Sequence, residues 1–161
     1  MNITASNSFR SVCGLGDVRA SVQTIKAGLR ALPQYEPETK HYFHGGMYCR
    51  EVKRGANVTV VGAVHKKEHM YVIVSGTVAI SDGHNPAQLV TGPCVIKSLP
   101  GTERVVSSIT EAVCMTFHVT NAKTVEEAEA ELVEADPDSM YLPGNIAKDA
   151  ELAHEIKEVL K

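Results

Sequence analysis

A mainly β domain, a sandwich or small barrel with one helix before it and two after, is predicted by three features of the sequence. Between residues 41 and 119, short runs rich in β-branched side chains recur at near-regular spacing. Turn residues, chiefly Gly, Pro, Asn and Ser, separate these runs, and no helix-length segment interrupts them. Apolar residues at helical spacing are confined to the flanks. The predicted layout is a helical extension over residues 1–40, a β-barrel over 41–120 and C-terminal helices over 121–161, in a single globular domain.

In the first flank, Val18, Val22, Ile25, Leu29 and Leu32 alternate spacings of four and three, with Asp17 as N-cap and Pro33 as the stop. This predicts an amphipathic helix packed on the protein's own sheet; the same face would also suit a partner helix. The strands follow as "GMYCREV", "NVTVVGAVH", "HMYVIVSGTVAIS", "CVIKS", "ERVVSSI" and "AVCMTFHVT". Between them stand "KRGAN", "SG", "SDGHNPAQ", "TGP" and "LPGT". In "TVEEAEAELVEADP", Thr124 and Glu127 have the spacing of a capping box, Val125, Ala128 and Leu132 share one face, and Pro137 lies beyond the end. A third helix is predicted over 146–160, where Ile146, Ala150, Ala153, Ile156 and Leu160 are in register.

Composition narrows the function. A chain of 161 residues holds one domain with a real core, and 43% hydrophobic with 22% charged residues is ordinary globular usage. Sixteen basic against nineteen acidic residues leave a net charge of -3, which gives no electrostatic grip on a nucleic acid backbone. No run approaches the roughly 18 apolar residues of a membrane span, and "MNITASNSFRSVCG" lacks the layout of a secretory signal, so a soluble cytoplasmic protein without a membrane partner is expected. Cys13, Cys49, Cys94 and Cys114 form no C-x-x-C pair and are expected as reduced thiols, with Cys49 and Cys114 as small core residues.

The stretch "HKKEH", residues 65–69, matches the inverted zinc-peptidase pattern H-x-x-E-H. That chemistry needs a helix, so that two histidines four apart face one zinc ion. Here "NVTVVGAV" precedes and "MYVIVSG" follows, both strand-like and broken by Gly62 and Gly76. The reading is strand, short connection, strand: "KKE" joins adjacent antiparallel strands, and His65 and His69 face each other at the rim. No P-loop or dinucleotide fingerprint occurs, and "GLG" at residues 14–16 follows no strand, so no nucleotide cofactor is expected.

The same residues resemble the first motif of the cupin superfamily, G-x5-H-x-H-x3,4-E-x6-G. Counting back from Gly76 puts His69 at the glutamate of that motif and His65 at its second histidine. Ala63 stands at the first histidine, and seven residues separate Gly55 from Ala63 where the motif has five. The second motif, G-x5-P-x-G-x2-H-x3-N, partly resembles "GPCVIKSLPGTERVVSS", with Arg104 or Glu103 at the histidine according to whether Gly101 or Gly92 is matched. Residues 45–134 are also similar to uncharacterised cupin-like proteins of tailed phages, through residues 48–51, His65 with Glu68 and His69, Gly76, "PGTERV", the strand ending at His118 and the acidic helix after it. The resemblance implies a double-stranded β-helix, a jelly-roll barrel whose subunits pair through their sheets into a homodimer. If the chain is phage-encoded, it implies a place in the host cytoplasm.

Metal chemistry needs several imidazoles or carboxylates converging from different strands, and a barrel mouth gathers them. His65 and His69 supply two such groups, His118 a third, and Glu68 and Glu103 the carboxylates. Such a set suits a divalent ion, Fe, Zn, Mn or Ni. Arg50 and Arg104 sit in strand-like contexts, where alternation can turn a guanidinium inward to grip a ligand carboxylate or phosphate, with Tyr48 and Tyr71 lining the same cavity. His41, His44, His84 and His154 have turn-like or helical surroundings and are expected to be solvated or hydrogen-bonded. The expected function is binding of a small anionic ligand beside a divalent metal. The alternatives are a metal-dependent oxygenase, isomerase or lyase, and a metal-free structural or interaction module of a phage.

Overall fold

The computed structural model describes residues 18–32, 34–81 and 85–148, with side chains from Val22 onward. In chain order the elements are α1 (Val18–Arg30), β1 (Glu38–His44), β2 (Met47–Arg54), β3 (Thr59–Val61), β4 (His69–Ser75), β5 (Thr77–Ser81), β6 (Gln88–Thr91), β7 (Cys94–Ser98), β8 (Val105–Ser108), β9 (Ala112–Val119) and α2 (Val125–Leu132). A minor hairpin, β10 (Tyr141–Leu142) and β11 (Ile146–Ala147), closes the described chain. No helix among the described residues is long and apolar enough to cross a membrane.

Two antiparallel sheets are formed, one in the order β1-β2-β9-β4-β7 and the other β3-β8-β5-β6. From β2 to β9, successive strands alternate between the sheets except for the β5–β6 hairpin, the order of a jelly roll, so the fold is mainly β, as the sequence predicts. The core lies between the sheets. Tyr71, Ile73, Ala112 and Cys114 from the first sheet meet Val78, Ile80 and Val106 from the second, with Val60, Val90, Cys94 and Ile96 packed around them. Strand alternation explains the selection: along β9, residues 112, 114, 116 and 118 are buried while 113, 115, 117 and 119 are half-buried or exposed.

The crossing between the sheets fixes one glycine. Gly76, between β4 and β5, has φ +84°, and a Cβ placed there would lie 2.2 Å from the Glu111 carbonyl oxygen and 2.9 Å from the Ala112 Cβ. Gly45 and Gly46, with φ +58° and +76°, form the two-residue turn of the β1–β2 hairpin, whose register closes on His44 opposite Met47.

Helix α1 packs through Val22, with Ile25 and Leu29 half-buried, and Leu32 is exposed beyond its end. Helix α2 is capped as predicted at Thr124, whose hydroxyl accepts from Glu127 N at 3.2 Å. Its Ala128 and Leu132 bury against Tyr48, with Phe43 and Ala122 alongside.

Several expectations require correction. Strands β1 and β6 lie in segments read as non-strand. His41 and His44 therefore belong to a strand, with His41 half-buried on its inward face. Residues 65 and 69 do not end a hairpin. β3 pairs with β8 in one sheet while β4 pairs with β7 and β9 in the other, so "KKE" bridges the two sheets. Ile146 and Ala147 form β11 rather than the start of a helix, because they pair with residues 141 and 142 across the Pro143–Asn145 turn. Most of the third predicted helix, together with Asp17, Pro33, Cys13, His84 and His154, lies outside the described residues.

Gly76→Ala is expected to destabilise the fold by about 2–4 kcal/mol, from strain at positive φ and a steric clash with backbone. Urea denaturation monitored by far-UV circular dichroism measures this; a change below ~0.5 kcal/mol would contradict the close approach.

Candidate metal centre and ligand cavity

Three histidines converge at one end of the barrel. His69 opens β4 and His118 lies near the end of β9; continuing the Met70–Phe117 register by one residue sets them opposite each other. Across β9, His118 is the register partner of Tyr48 on β2. His65 arrives from outside both sheets and is pinned by backbone bonds on two sides. Its N–H donates to Thr102 O at 3.2 Å and its carbonyl accepts from Gly101 N at 2.8 Å, while Lys66 N donates to Leu132 O and Glu134 N to Val64 O. The second pair makes a bridge between His65 and Val133, just beyond α2. Lys66 Nζ donates to Ala130 O at 2.8 Å and Lys67 pairs with Glu131, so both lysines of "HKKEH" hold the connection to α2.

The three rings nearly touch, with centroids 4.1 Å apart for His65–His69, 4.6 Å for His69–His118 and 5.1 Å for His65–His118. One ligand nitrogen from each lies within 4.8 Å of the others. In a tetrahedral site two nitrogens about 2.1 Å from one ion lie ~3.4 Å apart, so shifts of at most about 1.4 Å in their separation bring the widest permitted pair onto one ion. His65 Nδ1, His69 Nε2 and His118 Nδ1 are sealed from solvent without a hydrogen-bond partner. Nδ1 of His69 faces the Lys67 carbonyl at 3.4 Å, which leaves Nε2 as the lone-pair donor. Orphaned imidazole nitrogens in a tight neutral group fit a divalent ion.

The electrostatics agree with neutral rings. Burial lowers the pKa of all three histidines, to about 2 for His65, about 4 for His69 and about 3 for His118, with nearby charge, Arg50 included, adding to the effect at each. Arg104 adds to it at His65 and His69.

The predicted carboxylates are not part of this group. Glu68 is exposed on the connection between sheets. Glu103 is buried but turned toward α1, where Lys26 Nζ lies 3.3 Å from Oε1 and Gln23 Nε2 3.4 Å from Oε2. Lys26 also pairs with Asp136 at 2.6 Å. The lysine attraction that engages Glu103 explains its absence from the trio.

The four predicted ligand contacts are all near the barrel interior. Tyr48 is buried beside His118, and its hydroxyl lies 2.8 Å from His41 Nδ1. Arg50 faces Glu129 of α2 at 3.6 Å. Arg104, just before β8, sets its guanidinium 5.0 Å above the Tyr71 ring. It also lines a cavity of about 440 Å³ between the edges of β6 and β7, whose walls include Ile80, Val90, Cys94 and Ile96. The lining includes none of the three histidines.

The sequence reading passed over Thr116, Glu129 and Arg54, whereas His41 was expected to be solvated or hydrogen-bonded and is bonded to Tyr48. Strand alternation would have found Arg54 and Thr116, because residues four and two positions along a strand from Arg50 and His118 share their face.

No family model matches this sequence, and no curated protein aligns with it. Among solved structures, the chain is similar to a cupin superfamily protein from Desulfitobacterium hafniense, at 7% identity over 57% of this chain and 86% of that one, with a TM-score of 0.44. It is similar to an uncharacterised protein with a double-stranded β-helix domain from Klebsiella pneumoniae, at 12% identity over 57% and 80%, with a TM-score of 0.47. It is also similar to an acetylacetone dioxygenase from Acinetobacter johnsonii, at 9% identity over 55% and 65%, with a TM-score of 0.44. The chemistry is set by this chain's own residues.

The depressed pKa values fix a sign. Unfolded histidines protonate near pH 6.5, while the buried ones resist until about pH 4, 3 and 2; stability is therefore full above pH 6.5 and falls as the pH drops toward those values. In chelator-treated protein, His118→Gln is expected to reduce the slope of stability against pH between 6 and 4.5 by about 1.4 kcal/mol per pH unit, one proton's worth. Equal slopes in parent and variant, from denaturant titrations across that range, would show that His118 is not held neutral by burial.

Proposed function

We propose that this protein binds a small anionic molecule inside the jelly-roll barrel, beside a divalent metal held by His65, His69 and His118. The observation that carries this reading is the convergence of three buried imidazoles with orphaned nitrogens. Three protein ligands leave coordination positions open, and an ion bound there would act as a Lewis acid on an oxygen of the bound molecule. Arg50 and Arg104 supply positive charge beside the trio, and Tyr48 and Tyr71 supply hydroxyls and ring surface. Glu68 and Glu103 have no part in the site proposed here.

Protein purified without an affinity tag from metal-replete cells is expected to carry about one divalent ion per chain by elemental analysis, and His65→Ala and His69→Ala less than about a tenth of that. Metal well below stoichiometry in the parent would sink the metal site.

A second reading is favoured by the outer face of the five-stranded sheet, where Met47, Met70, Val74, Val95 and Val119 are exposed. Cross-strand neighbours Met47–Val119, Met70–Phe117 and Met115–Val72–Val95 make the apolar surface continuous. A face of this kind suits sheet-on-sheet packing against a second copy. Sedimentation velocity is expected to show a dimer that Val119→Lys converts to monomer; a monomeric parent would exclude pairing at this face.

A further inference from the structure

The row of inward residues directly below the histidines holds donors that the protein leaves unsatisfied. Arg50 on β2, Thr116 on β9 and Tyr71 on β4 are successive cross-strand partners. Arg50 Nε, Thr116 Oγ1 and Tyr71 Oη are each sealed from solvent and have no hydrogen-bond partner. Arg54, four residues beyond Arg50 on the same face of β2, brings its guanidinium beside the Tyr71 hydroxyl and the Cys114 thiol. Its Nε and Nη1 are likewise enclosed and unpartnered. Among the described residues no carboxylate lies within ion-pair distance of Arg54, whereas Arg50 has Glu129.

A buried guanidinium without a counter-charge is costly, and an arginine fork matches a planar oxyanion. We propose that this row is an oxyanion site in which Arg54, with Arg50, Thr116 and Tyr71, receives the carboxylate of the bound organic molecule. The inference rests on the reading that an anionic ligand occupies the barrel, and it names that ligand's class. Two residues along a strand span about 6.8 Å, so the ligand is a short oxygenated carboxylic acid, with one end on Arg54 and an oxygen reaching the histidine row.

The surroundings suit such a molecule. Tyr71 Oη, enclosed and without an acceptor of its own, has an O–H to donate. Ile96, the register partner of Tyr71 on β7, lines the 440 Å³ cavity, and Arg104 covers the Tyr71 ring from the same cavity.

The test melts full-length, chelator-treated protein at constant ionic strength, with chloride replaced stepwise by acetate or by phosphate. Acetate is expected to raise the melting temperature saturably, and Arg54→Met to weaken its half-saturation by at least about tenfold. In chloride, Arg54→Met is expected to melt at or above the parent, because an uncompensated charge has been removed. Thr116→Val, which keeps the shape and removes Oγ1, is expected to weaken the acetate effect and serves if Arg54→Met does not fold. A rise with phosphate and none with acetate overturns the assignment of a carboxylate to this row. No anion-dependent rise in the parent, or an undiminished rise in the variants, overturns the proposal. His65→Ala is expected to lose metal while keeping the acetate response, so a failure of the metal site and a failure of the oxyanion site give different results.

Discussion

The register of β9 between β2 and β4 governs both the core and the site. Partner pairs Tyr48–His118, Arg50–Thr116 and Val52–Cys114 on one side, and Tyr71–Thr116 and Ile73–Cys114 on the other, place like with like along three strands. The apolar layer at Cys114 and Ile73 closes one end of the interior, and the polar layers at Thr116 and His118 occupy the other. A slip of one residue would turn His118, Thr116 and Cys114 outward together and bring Met115 and Phe117 inside. Packing and chemistry therefore rest on one set of backbone hydrogen bonds.

Desolvation is the second organising constraint. Three imidazoles, two tyrosine hydroxyls and several guanidinium nitrogens are held away from water, while the acidic groups nearby are already paired: Glu129 with Arg50 and the Gly144 N–H, Glu131 with Lys67 and Thr120, and Glu103 with Lys26. The interior is accordingly neutral to positive although the chain as a whole carries -3. Net charge describes the surface facing solvent, and it gave no hint of this local field.

The strands were legible where β-branched residues run between clear turns, as in "HMYVIVSGTVAIS", and His65, His69 and His118 stood out by their places at strand ends and in the cupin-like motif. Strand β1 was harder to see because "ETKHYFH" is polar on its outward face. The Gly45–Gly46 turn that marks its hairpin was the available signal. The placement of "HKKEH" across two sheets was not legible, since local pattern says a strand ends but not which sheet the next one joins. Glu103 illustrates the same limit: its partner Lys26 lies 77 residues earlier, on a helix whose docking no local motif records. Arg54 was read as part of the turn "KRGAN", although alternation from Arg50 puts it inside.

The bridge between His65 and Val133 has a further meaning for the unit that evolves and folds. A minimal barrel ending with β9 would contain His69 and His118 but would leave the His65 segment without the backbone partners supplied by Leu132 and Glu134. The smallest module that keeps both sets of backbone bonds to the His65 segment, those of Gly101 and Thr102 and those of Leu132 and Glu134, therefore extends to residue 134. Docking of α2 and ordering of the His65 segment are coupled through these bonds, so anything that occupies the site also favours the docked state of a helix lying outside the barrel.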